Sequence, residues 1–159
     1  MADYNRPNLK TQALFIDDVE VTATAAELNT LDNVIASAVP VLSAGASTDE
    51  MDITISCKNA AGVVIAQVHR LEVWITDSAT AFTLTGTTAS GALTAIDGGV
   101  LSVLTAKKHI TCVTPATGII NLSLVASAND AGEIVCVKLP NGGFSQSVAS
   151  VATDYEGGA

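Results

Sequence analysis

The chain has 159 residues, enough for one ordinary domain and an appendage, and a domain of about 100–150 residues buries enough surface to fold without staples. It is 48% apolar yet only 4% aromatic, with 14% charged residues, a texture of Ala, Val, Leu, Ile, Thr and Ser that suits pleated strands and excludes disorder. The net charge of −9 is set against seven thinly spread basic residues with no run longer than Lys107-Lys108, so a phosphate backbone would repel the chain and direct nucleic-acid binding is not expected.

Residues 1–22 hold no sustained period. Arg6-Pro7-Asn8 breaks regular structure, and Leu9, Leu14, Phe15 and Ile16 then form a short apolar patch ahead of Asp17-Asp18. An irregular apolar segment beside a compact domain suits docking on another surface, or folding back on its own domain. Next, Thr24 and Glu27 have the spacing of a capping box, in which the hydroxyl accepts an amide in the first turn and the carboxylate reaches back to the cap. Leu28, Leu31 and Ile35 follow at one face of a helix spanning about 25–37, which Pro40 ends. Two or three turns are too short to stand alone, so this stripe is expected to pack on its own domain, on copies of itself or on a host surface. The small and polar residues of VLSAGAST then read as a linker, placing the boundary near Ser47: an N-terminal arm over 1–47 and a sandwich domain over 48–153.

From Met51 the texture is that of strands. Met51, Ile53, Ile55 and Cys57 alternate with Asp52, Thr54 and Ser56. After the turn KNAAG, VVIAQVHRLEVWIT reads as a short strand and a longer one, with Leu71, Val73 and Ile75 opposed to Arg70, Glu72 and Trp74. AFTLTG, VLSVLT, HITCVT, IINLSLVAS, EIVCVKL and FSQSVASVA read as further strands, separated by segments rich in turn residues. Pro140-Asn141-Gly142-Gly143 is the strongest hairpin signal, and residues 154–159 look frayed. The expected fold is all-β: an Ig-like antiparallel β-sandwich behind an extended N-terminal arm with one short helix.

Chemistry-bearing patterns are sparse. Cys57, Cys112 and Cys136 lack metal-ligand spacing, lie inside candidate strands and read as buried thiols; nothing requires a disulfide. His69 and His109 have no motif partner, and Asp52, Glu72 and Glu133 read as isolated outward carboxylates. Trp74 reads as a packing anchor rather than a ligand platform. There is no GxSxG elbow, phosphate loop or EF-hand spacing, so no enzyme, catalytic residue, metal or cofactor is expected. The polar N-terminus and the lack of a run of about 18 apolar residues lead to an expectation of no membrane partner and of synthesis in a host cytoplasm.

Two stretches resemble phage structural proteins. VTATAAELNTLD at 21–32 is similar to segments near the attachment regions of tail fibres and of decoration proteins in tailed phages. The second stretch covers most of 51–145. There Asn59–Ala66, Arg70–Asp77, Thr105–Gly118 and Leu139–Gly142 follow the order of turn and strand signatures in the small β-sandwich of phage head decoration, cement and head-fibre proteins. The chain departs from that pattern at Asn59, where an Asp is expected, and at Ile75-Thr76-Asp77. The resemblance implies a virion structural protein on the capsid exterior, cementing or decorating the head, with the major capsid protein as partner; the shortness of the Leu28, Leu31 and Ile35 stripe, useful only against copies or a host surface, adds the expectation of a homotrimer. Leu9, Leu14, Phe15, Ile16, Leu28, Leu31 and Ile35 are the candidate capsid or self-association contacts. The alternatives are a tail or fibre adaptor of the virion and an Ig-like module that binds a host surface.

Overall fold

The computed structural model of the chain describes residues 14–16, 19–21, 34–76, 93–106, 108–125 and 132–155. The chain divides into two compact units, residues 1–32 and residues 33–159. In the first, β1 (Leu14–Ile16) and β2 (Val19–Val21) pair antiparallel, with Leu14 opposite Val21 and Ile16 opposite Val19. Leu14–Ile16, the described part of the apolar patch read from the sequence as irregular, is thus a strand paired with β2.

The second unit is a β-sandwich of two antiparallel sheets. One has four strands in the order β3 (Pro40–Ala44), β4 (Glu50–Ser56), β9 (Ile119–Val125), β6 (Leu93–Ala95). The other has five: β11 (Phe144–Gln146), β10 (Ile134–Lys138), β5 (Arg70–Thr76), β8 (His109–Val113), β7 (Gly99–Thr105). Alternation along the strands builds the core between them. Met51, Ile53, Ile55, Ile120, Leu122 and Leu124 from the first sheet meet Leu71, Val73, Ile75, Ile110, Val135 and Val137 from the second, all buried in one cluster. Each such side chain contributes about 1.5–3 kcal/mol through removal from water. A smaller cluster of Trp74, Ile134 and Cys136 lies on the other side of the five-stranded sheet.

Several expectations are corrected here. The sandwich begins well before Ser47, which sits in the β3–β4 turn, where its amide donates to Glu50 Oε2 (2.8 Å) and its carbonyl accepts the Glu50 amide (3.0 Å). Pro40 opens an edge strand, a place where a missing amide costs no ladder bond. Residues 34–37, expected to finish a helix, run extended: Ala36 N donates to Lys58 O and Lys58 N to Ser37 O, each 2.8 Å. The remainder of that helix, 25–33, lies outside the described residues, as does the strand expected at AFTLTG. VVIAQV forms a single bridge, Val64 to Lys58, instead of a strand. At the C-terminal side, β11 is three residues long because serine hydroxyls take over from the ladder. Val135 N donates to Ser147 Oγ (3.0 Å) and Glu133 N to Ser150 Oγ (3.1 Å). Tyr155, expected to fray, is packed: a single 3-10 turn (Ala152–Asp154) delivers it to the core at 1% exposure.

The Pro140–Gly143 hairpin is present, closed by Gly142 N to Leu139 O (2.9 Å) and Leu139 N to Gly143 O (2.8 Å). Only Gly142 takes a positive φ (85°), so Pro140-Asn141 form an ordinary turn followed by a left-handed glycine. Among the described residues no helix is long and apolar enough to cross a membrane.

Candidate functional site

The structure divides the seven expected contact residues. Leu9, Leu28 and Leu31 lie outside the described residues, while Leu14, Phe15 and Ile16 make up β1. Ile35 is not a free contact. It is 5% exposed within the sandwich core, on an extended segment whose carbonyl accepts Asn141 Nδ2 at 2.8 Å. The i, i+3, i+7 spacing that joined it to Leu28 and Leu31 therefore reflects no common helical face at Ile35.

The two outer faces of the sandwich differ in chemistry. On the four-stranded sheet, β4 and β9 register Thr54 against Asn121 and Asp52 against Ser123. Thr54 Oγ1 donates to Asn121 Oδ1 (2.8 Å), and Asn121 N and Nδ2 donate to the two oxygens of Asp97 (2.7 Å each). Ser123 Oγ donates to Glu50. That hydroxyl, with help from Ser47, holds the Glu50 carboxyl below its ordinary range. Burial pushes Asp52 upward, and the neighbouring Glu50 charge adds to it. The four strands of this sheet carry no Lys, Arg or His.

The five-stranded sheet presents the opposite balance. Because β5 lies between β10 and β8, Glu72 is opposite Lys138 on one side and Thr111 on the other, while Trp74 is opposite Cys136 and His109. Glu72 Oε1 pairs with His109 Nε2 at 2.8 Å, and Glu72 Oε2 lies 3.9 Å from Lys138 Nζ. The Trp74 indole is held edge-on between the rings of His109 (5.8 Å) and Phe144 (5.9 Å). It is 4% exposed, which agrees with a packing role and removes it as a stacking surface. Beside this row runs an open groove of about 370 Å³ with Arg70, Glu72, Thr111 and Lys138 on its polar side and Leu139-Pro140 as an apolar wall. Pro140 also borders a second groove, of about 340 Å³, with Val34, His69 and Asn141. His69 is tied down there by its amide to Thr114 Oγ1 (2.9 Å) and by Nε2 to Ile65 O (3.2 Å).

Among the described residues the hydroxyl, imidazole and thiol groups have the following neighbours. His109 and Glu72 form an imidazole–carboxylate pair of the kind that orients a base. The nearby Ser102 and Thr111 hydroxyls, however, bond to each other (2.8 Å), and the hydrogen bond of His109 runs to Glu72. All three cysteines are free and buried, with thiols pushed by desolvation to about 11 (Cys57), 12 (Cys112) and 11 (Cys136), so they pack as small hydrophobes. Among the described residues no cluster of three or more His, Cys, Asp or Glu could hold a metal. Glu133, read as outward, is instead 2% exposed and accepts Tyr155 Oη at 3.0 Å; Tyr155 Oη also lies 3.1 Å from Ser150 Oγ.

The Glu72–His109–Lys138 row escaped the sequence reading because it depends on strand order. Alternation already put Arg70 and Glu72 on the face of β5 away from the core, but only the β10-β5-β8 neighbourhood brings Lys138 and His109 to them. No protein-family model matches the chain, and comparison with curated proteins and with solved structures likewise yields no match.

Proposed function

We propose that the chain is a virion structural protein that binds the outside of a phage capsid and decorates or cements the head. The observation that carries this reading is the ordered set of motifs resembling phage head decoration proteins. Those motifs fall at positions that define a sandwich. Asn59 Oδ1 caps its turn by accepting Ala61 N (3.1 Å) and Val63 N (3.0 Å), a role an Asp would fill equally. Arg70–Thr76 is the central strand of the five-stranded sheet, and Leu139–Gly142 is the β10–β11 turn. In this reading the sandwich is Ig-like, the N-terminal unit lies on the major capsid protein, and copies associate as trimers.

The mechanism is geometric. Each copy covers apolar surface at seams between capsid subunits, and every Å² removed from water contributes about 25 cal/mol before association costs. Many linked weak contacts then act as one strong one. The open groove beside Arg70 and Lys138 favours a second reading, an Ig-like module that captures a host-surface ligand.

Cosedimentation of the purified chain with expanded, undecorated capsids of the parent phage tests the proposal. The full chain should bind saturably, and residues 33–159 alone should bind at least tenfold more weakly. Equal binding by 33–159 would remove the N-terminal unit from the docking role. An absence of binding by the full chain would overturn the capsid assignment.

A further inference from the structure

We propose that the groove on the outer face of the five-stranded sheet docks an acidic peptide segment, with Arg70 as the carboxylate anchor and Lys138 as the second cation. The proposal does not depend on where in a virion the chain sits.

Charge distribution is the first argument. The chain carries −9, and the described residues include four Lys or Arg: Lys58, Arg70, Lys108 and Lys138. Two of these four line one groove. The opposite sheet presents Glu50 and Asp52 on its strands and Asp97 hydrogen-bonded to Asn121 of β9, with no cation on its strands. A sheet face with two cations close together on an otherwise acidic molecule attracts anions to that face.

The second argument is the state of Arg70. Its side chain is exposed and has no hydrogen-bond or ion-pair partner among the described residues. The carboxylate two residues along the same face, Glu72, would be its natural partner. Glu72 is instead turned to His109 at 2.8 Å and to Lys138 at 3.9 Å. His109 thus holds the one acid in the groove away from the guanidinium and leaves the fork of Arg70 open. The contact to Lys138 is loose, and that side chain is 46% exposed, so its ammonium can turn to an incoming carboxylate. Arg and Lys lining one groove offer a planar bidentate donor and a mobile point charge, the combination that grips a carboxylate on a chain.

Shape selects the class of ligand. The volume, about 370 Å³, lies at the lower end of the range for small-ligand sites, about 300–1,000 Å³. Pro140, exposed at one end of the groove, gives an apolar border that suits the aliphatic stem of a Glu side chain. No aromatic face lines the groove and Trp74 is buried, so the stacking platform of a sugar site is missing. Glu72 within the groove disfavours a phosphate, which concentrates its charge at one centre, more than a peptide whose carboxylates are spread along a chain.

Titration of the ¹⁵N-labelled full chain with the peptide acetyl-Glu-Glu-amide, followed by NMR, tests the site. Acetyl-Gln-Gln-amide, N-acetylneuraminic acid and inorganic phosphate serve as comparison ligands. The proposal expects saturable shifts at the amides of residues 70–72, 111, 138 and 139, reduced by added salt and absent with the Gln peptide. Affinity should fall at least tenfold in Arg70→Ala and again in the double variant with Lys138→Ala, while Arg70→Lys restores part of it. Both side chains are exposed, so an unchanged spectrum elsewhere certifies the fold of each variant. The proposal is overturned if no saturable shift occurs, if the Gln peptide binds equally, or if the shifts persist in the double variant. Binding of the sugar acid or of phosphate in preference to the Glu peptide also overturns it.

Discussion

Gly118 shows how strongly one residue can constrain this sandwich. It holds φ at +74°, and a Cβ added there would lie 1.9 Å from the carbonyl oxygen of Ile65. Its own carbonyl accepts the Cys57 amide at 2.9 Å, so the backbone cannot retreat. Left-handed strain and overpacking together predict that Gly118→Ala costs about 2–5 kcal/mol, read as a lower urea midpoint. A midpoint equal to that of the wild type would refute this account of the turn. On the four-stranded sheet, two carboxylates respond to pH in opposite senses. Glu50 is held low chiefly by Ser123, so its contribution is complete above its ordinary value of 4.5 and is lost as pH falls through the folded value. Asp52 is held high by burial, so its ionisation destabilises the fold as pH rises from 3.8 through the folded value. Denaturation at pH 7 should find Glu50→Gln less stable and Asp52→Asn more stable than wild type, both differences closing in acid. The same sign for both at pH 7 would contradict the assignment. At this scale the sequence was most legible where alternation is strict: Met51, Ile53, Ile55 and Cys57 are all buried as read. Glu133 was illegible, because its burial depends on Tyr155 arriving from 22 residues away.

At the scale of elements, the strands rich in β-branched residues were readable and the edges were not. β4, β5, β8, β9 and β10 each carry an alternating or continuous apolar run, and the turns between many of them announce themselves through Asn, Gly and Pro. β3 was mistaken for a linker because its residues, PVLSA, open on a proline and are small, features an edge strand tolerates. The segment before it reads as helix because Ile35 falls at a helical spacing, whereas the next two residues, Ala36 and Ser37, pair with Lys58. The corrected boundary has a consequence. A chain beginning at residue 33 should unfold in one cooperative transition. One beginning at residue 48 loses β3 together with buried Ile35 and Ala38, and should lose about 3 kcal/mol or more, or fail to fold. Circular dichroism through a guanidinium titration checks both. Equal midpoints would restore the boundary to Ser47.

For the whole molecule, two properties bear on function: separate N-terminal and sandwich units, and a sandwich with one acidic and one partly basic outer face. The segment at 21–32 and the turn and strand signatures of 51–145 are legible in the sequence as a resemblance to phage structural proteins. The groove was not, since Arg70 and Lys138 are 68 positions apart and meet only through the pairing of β10 with β5. The capsid assignment is a statement about location, so location tests it best. In a cryo-EM reconstruction of the phage proposed to carry this chain, the account predicts density for the sandwich on the outer surface of the head, repeated at equivalent positions of the lattice in hundreds of copies. Density confined to the tail or its fibres, at six to a few dozen copies, would contradict it.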